Sequence, residues 1–119
     1  MKIKGTDFVL YNVTDYERAV KFYRDVLGLK FVSEYGGYWG EFDAGNVVLA
    51  IHANKQPIKG GSAVALAVDD VDKFVKTLKD KGVKISEEPS ETEVCFIATI
   101  CDPDNNEIIL HQRKDGTVG

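Results

Sequence analysis

Apolar residues follow two different periods along the chain, and these periods alternate in the same order in both halves. Residues 8–13 and 63–68 are mostly apolar over a short stretch, which predicts a strand at the start of each half. Each stretch is followed by apolar residues at helical spacing, as far as Gly28 and Gly82, and glycine is common where a helix ends. The pattern therefore predicts an internal repeat that begins with a strand and a helix.

Polar residues before the two helical segments indicate where each helix begins. Thr14 and Glu17 have the spacing of a capping box, in which a hydroxyl and a carboxylate each accept a hydrogen bond from a backbone amide. Asp69 is the expected N-cap of the second helix. We expect each helix to pack an apolar face against a sheet. The apolar face of the first helix carries Ala19, Phe22, Tyr23, Val26 and Leu27. That of the second helix carries Val71, Phe74, Val75 and Leu78.

Three further extended segments follow each helix, and turn residues separate them. Typical turn sequences occur at Gly36–Gly37, 43–46, Pro89–Ser90 and 102–106. Each half is therefore predicted to be a βαβββ module. The predicted strands after the helices are 29–34, 38–42, 47–53, 83–87, 94–101 and 108–112.

The repeat predicts an α+β fold of two tandem βαβββ modules with curved mixed sheets. The modules extend over about residues 1–53 and 62–113, with a linker at 54–61 and a tail at 114–119. Because each module has one helix, something else must cover or use the other face of its sheet. Two such sheets can curve around a shared concave cavity, and the alternative is that the open face packs against the other module or a second chain.

Composition and charge exclude several classes of partner. The 119 residues include 15 Lys and Arg and 19 Asp and Glu, a net charge of −4, with no basic cluster to bind nucleic acid or anionic lipid. No apolar stretch reaches the roughly 18 residues of a membrane helix, and the first residues show no signal peptide, so we expect a cytoplasmic protein. Cys95 and Cys101, about 20 Å apart on one predicted strand, are expected to be free thiols.

Three segments together resemble the vicinal oxygen chelate superfamily, which includes glyoxalase I, bleomycin resistance proteins and extradiol dioxygenases. They are DYERAVKFYRDVLGL at 15–29, VALAVDD at 64–70 and DPDNNEIIL at 102–110. The resemblance extends over nearly the whole chain and keeps the family's order. It implies a glyoxalase-like fold.

The resemblance also implies four metal-ligand positions on the concave face of the sheets. In this chain they fall on Phe8, Ala50, Ala63 and Ile109, whose side chains have no donor atom. A divalent cation needs imidazole, carboxylate or thiolate ligands. The resemblance is therefore to the metal-free branch of the superfamily, and no metal or other cofactor is expected.

Strand alternation predicts which side chains share the concave face with these four positions, because residues two apart point the same way. Small alanines on this face leave room for a bulky organic ligand, while close packing against another chain is the alternative. The bulky apolar residues between them are expected under the helices. The predicted ligand-binding set on the four strands is Phe8, Leu10, Asn12, Ala50, His52, Ala63, Ala65, Glu107, Ile109 and His111.

An aromatic group flanks the glycine turn in the first half and extends this set. Tyr35, Tyr38 and Trp39 could stack on a planar ligand, or serve hairpin and dimer packing instead. Trp39 and Glu41 have the same strand parity, so we include both as ligand-binding residues, one for stacking and the other for a cationic group. Alternation alone does not say which face of the sheet they occupy.

These observations lead to three functional hypotheses. The first is metal-independent binding of a small organic molecule by a cytoplasmic homodimer, resembling bleomycin resistance proteins. The alternative is a metal-dependent lyase or isomerase of glyoxalase I type, with a displaced site at His52, Glu107 and His111. The third is a structural or regulatory domain whose cavity is filled by its own side chains. Whether a bound molecule is transformed is left open, because no nucleophile is evident.

Overall fold

Two compact units, residues 1–58 and 59–119, make up the computed structural model of the chain, which describes residues 2, 4, 6–57 and 63–118. The elements of the first unit are β1 (Phe8–Asn12), α1 (Tyr16–Lys21), β2 (Lys30–Tyr35), β3 (Trp39–Asp43) and β4 (Val48–His52). Those of the second are β5 (Val64–Ala67), α2 (Val71–Asp80), β6 (Ile85–Glu91), β7 (Cys95–Cys101) and β8 (Glu107–Arg113).

Each unit contains one four-stranded mixed sheet within its described residues. The strand orders are β1-β4-β3-β2 and β5-β8-β7-β6. In both sheets the first strand pairs in parallel with the last strand of its own unit, and the other pairs are antiparallel. The predicted α+β fold of two tandem βαβββ modules is confirmed.

The helix of each unit covers one face of the sheet of that unit. In the first unit Tyr11, Leu49 and Ile51 are buried, and the Tyr23 ring after α1 lies 5.6 Å from the Phe42 ring. In the second unit the corresponding core residues are Ile108 and Leu110, which are fully buried as well. Bulky apolar side chains thus lie under the helices as predicted, although the open-face residue Ala50 of β4 is fully buried too. We call the face of each sheet away from its helix the open face.

Both helices begin one residue later than the sequence pattern predicts. The Asp15 carboxylate accepts a hydrogen bond from the Arg18 amide at 3.1 Å, and Asp70 does the same for Lys73. The predicted caps, Thr14 and Asp69, are therefore wrong. Thr14 and Asp15, like Asp69 and Asp70, are all residue types that cap helices well, so the hydropathy pattern does not decide which residue of each pair is the cap. The Thr14 hydroxyl instead accepts from the Arg18 guanidinium.

The first helix changes its hydrogen bonding before it ends. After α1, residues Phe22–Val26 form a π-helical turn, in which the Leu27 amide donates to the Phe22 carbonyl at 2.9 Å. The chain then leaves the helix at Gly28 with a φ of 77°, a left-handed conformation that glycine adopts without steric cost. The predicted glycine ends are confirmed, since Gly82 has the same φ.

The turn predicted at Pro89–Ser90 is wrong. Both residues lie within β6, and the pairing with β7 is irregular between Glu87 and Ser90. Proline has no amide hydrogen to donate, and it is tolerated at the edge of a sheet where the pairing bulges. The tight turn occurs instead after β6, where the Thr92 amide donates to the Cys95 carbonyl at 2.8 Å.

Three other expectations concern the termini, the linker and the cysteines. Part of the predicted linker, residues 58–62, lies outside the described residues, as do residues 1, 3, 5 and 119. Cys95 and Cys101 are buried free thiols on β7, as predicted. In the described ranges there is no helix with both the length and the apolar character needed to cross a bilayer.

The turn before β8 generates a stability prediction. The buried Asp102 carboxylate accepts from the Asp104 and Asn106 amides at 2.9 and 2.8 Å, and from the Asn106 side chain at 2.9 Å. We expect Asp102→Ala to lower the free energy of unfolding by roughly 2–4 kcal/mol, because buried donors would lose a charged acceptor.

The matched control is Asp43→Ala at the equivalent turn of the first unit. Asp43 is exposed and its carboxylate accepts from the Gly45 amide, so we expect a loss below about 1 kcal/mol. Urea unfolding of both variants measures the difference. Equal losses would contradict the assignment of Asp102 as the anchor of its turn.

Candidate functional site

The open face of the first unit is organised by its strand pairing. Trp39 of β3 lies opposite His52 of β4, and Glu41 lies opposite Ala50. On the other side of β4, Leu10 pairs with Ala50. Because directly paired residues project to the same side of a sheet, Trp39 and Glu41 share the open face with the predicted set. Register therefore decides what the alternation pattern left open.

Four rings form what we call the aromatic cluster: Phe8, Tyr38, Trp39 and His52. The Trp39 ring lies 5.6 Å from Phe8 in an edge-on arrangement and 5.4 Å from His52, and Tyr38 lies 5.8 Å from His52. Phe8 and Tyr38 keep 44% and 47% of their surface exposed. The cluster thus presents accessible ring surface, which could stack on a flat molecule.

Glu41 holds the indole of Trp39 in place. The Trp39 Nε1 donates a hydrogen bond to the Glu41 Oε2 at 2.9 Å, and both side chains are half-buried. A hydrogen bond to a carboxylate is stronger than one between neutral groups. The indole orientation is therefore set by a neighbour on the same strand face.

The remaining predicted residues of the first unit have different surroundings. Ala50 is fully buried, whereas Leu10 is 43% exposed. The Asn12 side chain donates to the Gln56 carbonyl at 3.2 Å, which ties the end of β1 to the segment after β4. Asn12 thus has a structural hydrogen bond, while Leu10 extends the accessible apolar surface of the open face.

In the second unit the predicted residues share the open face of the other sheet. Ala65 pairs with Ile109, and Ala67 pairs with His111. Ala65 and Glu107 are exposed, whereas Ile109 and His111 are half-buried. Ala63 is also exposed and precedes the first residue of β5.

Sequence reasoning missed residues on this second open face, among them Thr99 and Glu87. Thr99 of β7 pairs with Ile109 and with Glu87 of β6, and the Thr99 Oγ1 lies 3.5 Å from the Glu87 Oε2. The tight turn at 102–106 was a usable signal, because it joins β7 to β8 and so fixes which β7 residues share a face with Ile109.

The donor set of the chain does not fit a metal at the positions that the resemblance implies. Phe8, Ala50, Ala63 and Ile109 carry only hydrocarbon side chains, which cannot ligate a divalent cation. Nor do any three His, Cys, Asp or Glu side chains in the described ranges form a group that could hold one. The equivalence of these four positions to ligand positions of the family stays a prediction.

On the helix side of the first unit, Tyr16 fastens α1 to the β2–β3 hairpin. Its hydroxyl donates to the Glu34 Oε2 at 2.6 Å and lies 3.4 Å from the Trp39 carbonyl oxygen. It also lies over Gly40, where an added Cβ would come within 3.2 Å of it. Burial and the adjacent Glu34 carboxylate raise the pKa of Tyr16 above its ordinary value.

The same contact forms part of a surface groove of about 770 Å³ on the helix side. Lys21 and Arg24 contribute to its lining together with Phe31, Tyr16 and Glu34. The sequence pattern did not predict this groove, since its residues come from α1, the π-helical turn and β2. The groove lies behind the hairpin that carries Trp39, on the opposite side of the sheet from the aromatic cluster.

Comparison with known proteins gives a family match and several relatives. The model of the Glyoxalase/Bleomycin resistance protein/Dioxygenase superfamily matches residues 5–110. A probable chloroplastic lactoylglutathione lyase of Arabidopsis thaliana is 33% identical over 121 residues, which cover 88% of this chain and 35% of that protein. The chain therefore spans about a third of the length of this relative.

Two further relatives match over nearly their whole length. A probable lactoylglutathione lyase of Vibrio parahaemolyticus is 27% identical, with 92% of this chain and 91% of that protein covered. The crystal structure of TnmS3, an antibiotic binding protein from Streptomyces sp. CB03234, is similar with a TM-score of 0.80 and 26% identity, covering 96% of this chain and 99% of that one.

The Tyr16 contact predicts a pH-dependent loss of stability. Tyr16→Phe should lower the free energy of unfolding by about 1 kcal/mol at neutral pH, because one hydrogen bond to a carboxylate is lost. The pKa of Tyr16 is raised in the folded protein, so its contribution is complete below the unfolded value of about 10 and declines as the pH rises above it. The gap between wild type and variant should therefore narrow in alkaline solution.

Urea unfolding between about pH 7 and pH 11 measures this gap. Tyr35→Phe is the control, since Tyr35 is 57% exposed on the other face of the hairpin. A gap for Tyr16→Phe that stays constant or widens above about pH 10 would show that the hydroxyl does not stabilise the hairpin in its protonated form.

Proposed function

The chain belongs to the glyoxalase/bleomycin resistance protein/dioxygenase superfamily, and we propose that within this family it binds a small planar organic molecule without a metal ion. The binding surface is the open face of the first unit. The observation that carries the proposal is the aromatic cluster, in which Trp39 lies within 5.6 Å of Phe8 and 5.4 Å of His52. Partly exposed rings in such contact are suited to stack on a flat ligand.

Two further points support binding without a metal. The positions that the resemblance assigns to metal ligands carry hydrocarbon side chains, so a ligand there would be held by apolar and ring contacts. The similarity to an antibiotic-binding protein from Streptomyces shows that this fold serves binding as well as catalysis. Most small-molecule sites are apolar with a few polar groups that orient the ligand, and here Glu41 and His52 supply these polar groups.

The similarity to probable lactoylglutathione lyases favours a second candidate function. In this alternative the chain is a metal-dependent lyase or isomerase whose candidate ligands from the sequence are His52, Glu107 and His111, although these do not form a metal-holding group among the described residues. These residues lie on β4 of the first unit and β8 of the second. Imidazole and carboxylate are suitable ligands for zinc, nickel or iron.

The proposal also includes a homodimer and a cytoplasmic location. The homodimer rests on the family resemblance and on the edge strands that a single chain leaves unpaired, and the location stays an expectation from the sequence. Sedimentation of the purified chain over a range of concentrations tests the dimer, and a monomer at all concentrations would remove this part of the proposal without affecting ligand binding.

The ligand proposal makes a direct prediction, because Trp39 is the single tryptophan of the chain. Planar aromatic compounds that bind at the aromatic cluster should quench its fluorescence. Phe8→Ala should weaken their binding about tenfold, since it removes one ring of the cluster. Titration of wild type and variant with the same compounds gives the two dissociation constants.

The control is Val94→Ala, which truncates a side chain that is 71% exposed in the second unit. This variant should bind like the wild type. If no planar compound quenches Trp39, or if both variants lose affinity equally, the aromatic cluster is not the binding surface.

Elemental analysis separates the two candidate functions. Protein purified without a chelator should hold no stoichiometric zinc, nickel, iron or manganese if binding is metal-independent. Stoichiometric metal that is lost in His52→Ala or His111→Ala would overturn metal-independent binding and support the lyase alternative. The matched control is Cys95→Ala, which removes a potential soft ligand on β7 and should not change the metal content under either function.

A further inference from the structure

The charges on the open face of the first unit are few and unevenly placed. Lys30 and Asp43 pair with each other across β2 and β3 at one end of the sheet, both exposed and of opposite sign. Glu41 lies one row further in, opposite Ser33 on one side and Ala50 on the other. Within the described part of the chain no ion pair compensates the negative charge of Glu41, which adjoins the aromatic cluster.

The Glu41 carboxylate uses one of its two oxygens for the hydrogen bond that orients it. Its Oε2 accepts the Trp39 indole hydrogen at 2.9 Å. No hydrogen bond or ion pair to its Oε1 occurs among the residues that the structure describes. Because the side chain is half-buried, water solvates this oxygen less completely than it would on an open surface.

We propose that the ligand of this face is an organic cation. Its planar part contacts the aromatic cluster, and its positive nitrogen lies against the Glu41 carboxylate and the Trp39 ring. This inference rests on the proposed function and specifies its ligand class.

Two physical effects favour a cation here. Tryptophan attracts a cation to its ring more strongly than the other aromatic side chains do. A partly buried carboxylate gains a charge-assisted interaction with a cation that a neutral ligand cannot supply. The hydrogen bond between Trp39 and Glu41 keeps both groups in one orientation before the ligand arrives, so less conformational entropy is lost on binding.

A pair of probes of the same shape tests the inference. Acridine is neutral at about pH 8, where imidazole side chains are ordinarily neutral too, whereas 10-methylacridinium carries a permanent positive charge. Quenching of Trp39 gives the dissociation constant of each probe. We expect the cation to bind about tenfold more tightly than acridine.

Variants at Glu41 assign this preference to the carboxylate. Glu41→Gln keeps a hydrogen-bond acceptor for the indole but removes the charge, so the tenfold preference should fall to about threefold or less, the part that the Trp39 ring alone supplies. Glu41→Asp keeps the charge and should retain a preference for the cation. Glu88→Gln, in the second unit, changes the net charge equally and should leave the tenfold preference intact.

The outcomes distinguish this inference from the function on which it rests. If acridine binds as tightly as 10-methylacridinium, or if the full tenfold preference survives in Glu41→Gln, the cation inference is overturned while planar-ligand binding stands. If neither probe quenches Trp39 in the wild type, both fail. Loss of the preference in Glu88→Gln would also overturn the inference, because it would show a general effect of net charge.

Discussion

The register of the strand pairs in the first unit is the constraint on which its candidate site depends. Side chains alternate along a strand, so a shift of one residue would move each side chain to the other face. In the observed register Trp39 lies opposite His52, while Phe42 lies opposite Leu49. The first pair contributes to the aromatic cluster and the second is fully buried under the helix. Burial of the second pair therefore fixes the register of β3 and β4, and this register places the first pair in the aromatic cluster.

Gly40 connects the two faces of this sheet. It lies between Trp39 and Glu41 on β3 and points toward the helix, where an added Cβ would come within 3.3 Å of Phe31 and Ile51. The absence of a side chain lets Tyr16 approach the strand and place its hydroxyl near the Trp39 carbonyl. The packing of α1 against the helix side of the hairpin therefore supports Trp39 and Glu41, the two residues that would contact a ligand on the open face.

Much of the fold follows from local pattern, and the departures from it have local causes. Tyr11 and Ile51 are buried and Leu10 is exposed, as strand alternation predicts. The helix starts were displaced by one residue because neighbouring polar residues compete for the capping position. Pro89 has the sequence signal of a turn residue, yet it lies in β6, where an irregular pairing tolerates it.

The amino-acid sequence by itself determined the repeat, the fold class and the family, because these depend on periodicity and on segments that recur along the whole chain. It also indicated that Trp39 and Glu41 share one side of a strand. Only the tertiary structure decided which side, and that the indole donates to the carboxylate beside His52. The physical reason is that the face a strand presents depends on its hydrogen-bonded partners, and the partners of β3 are set by pairing across the sheet.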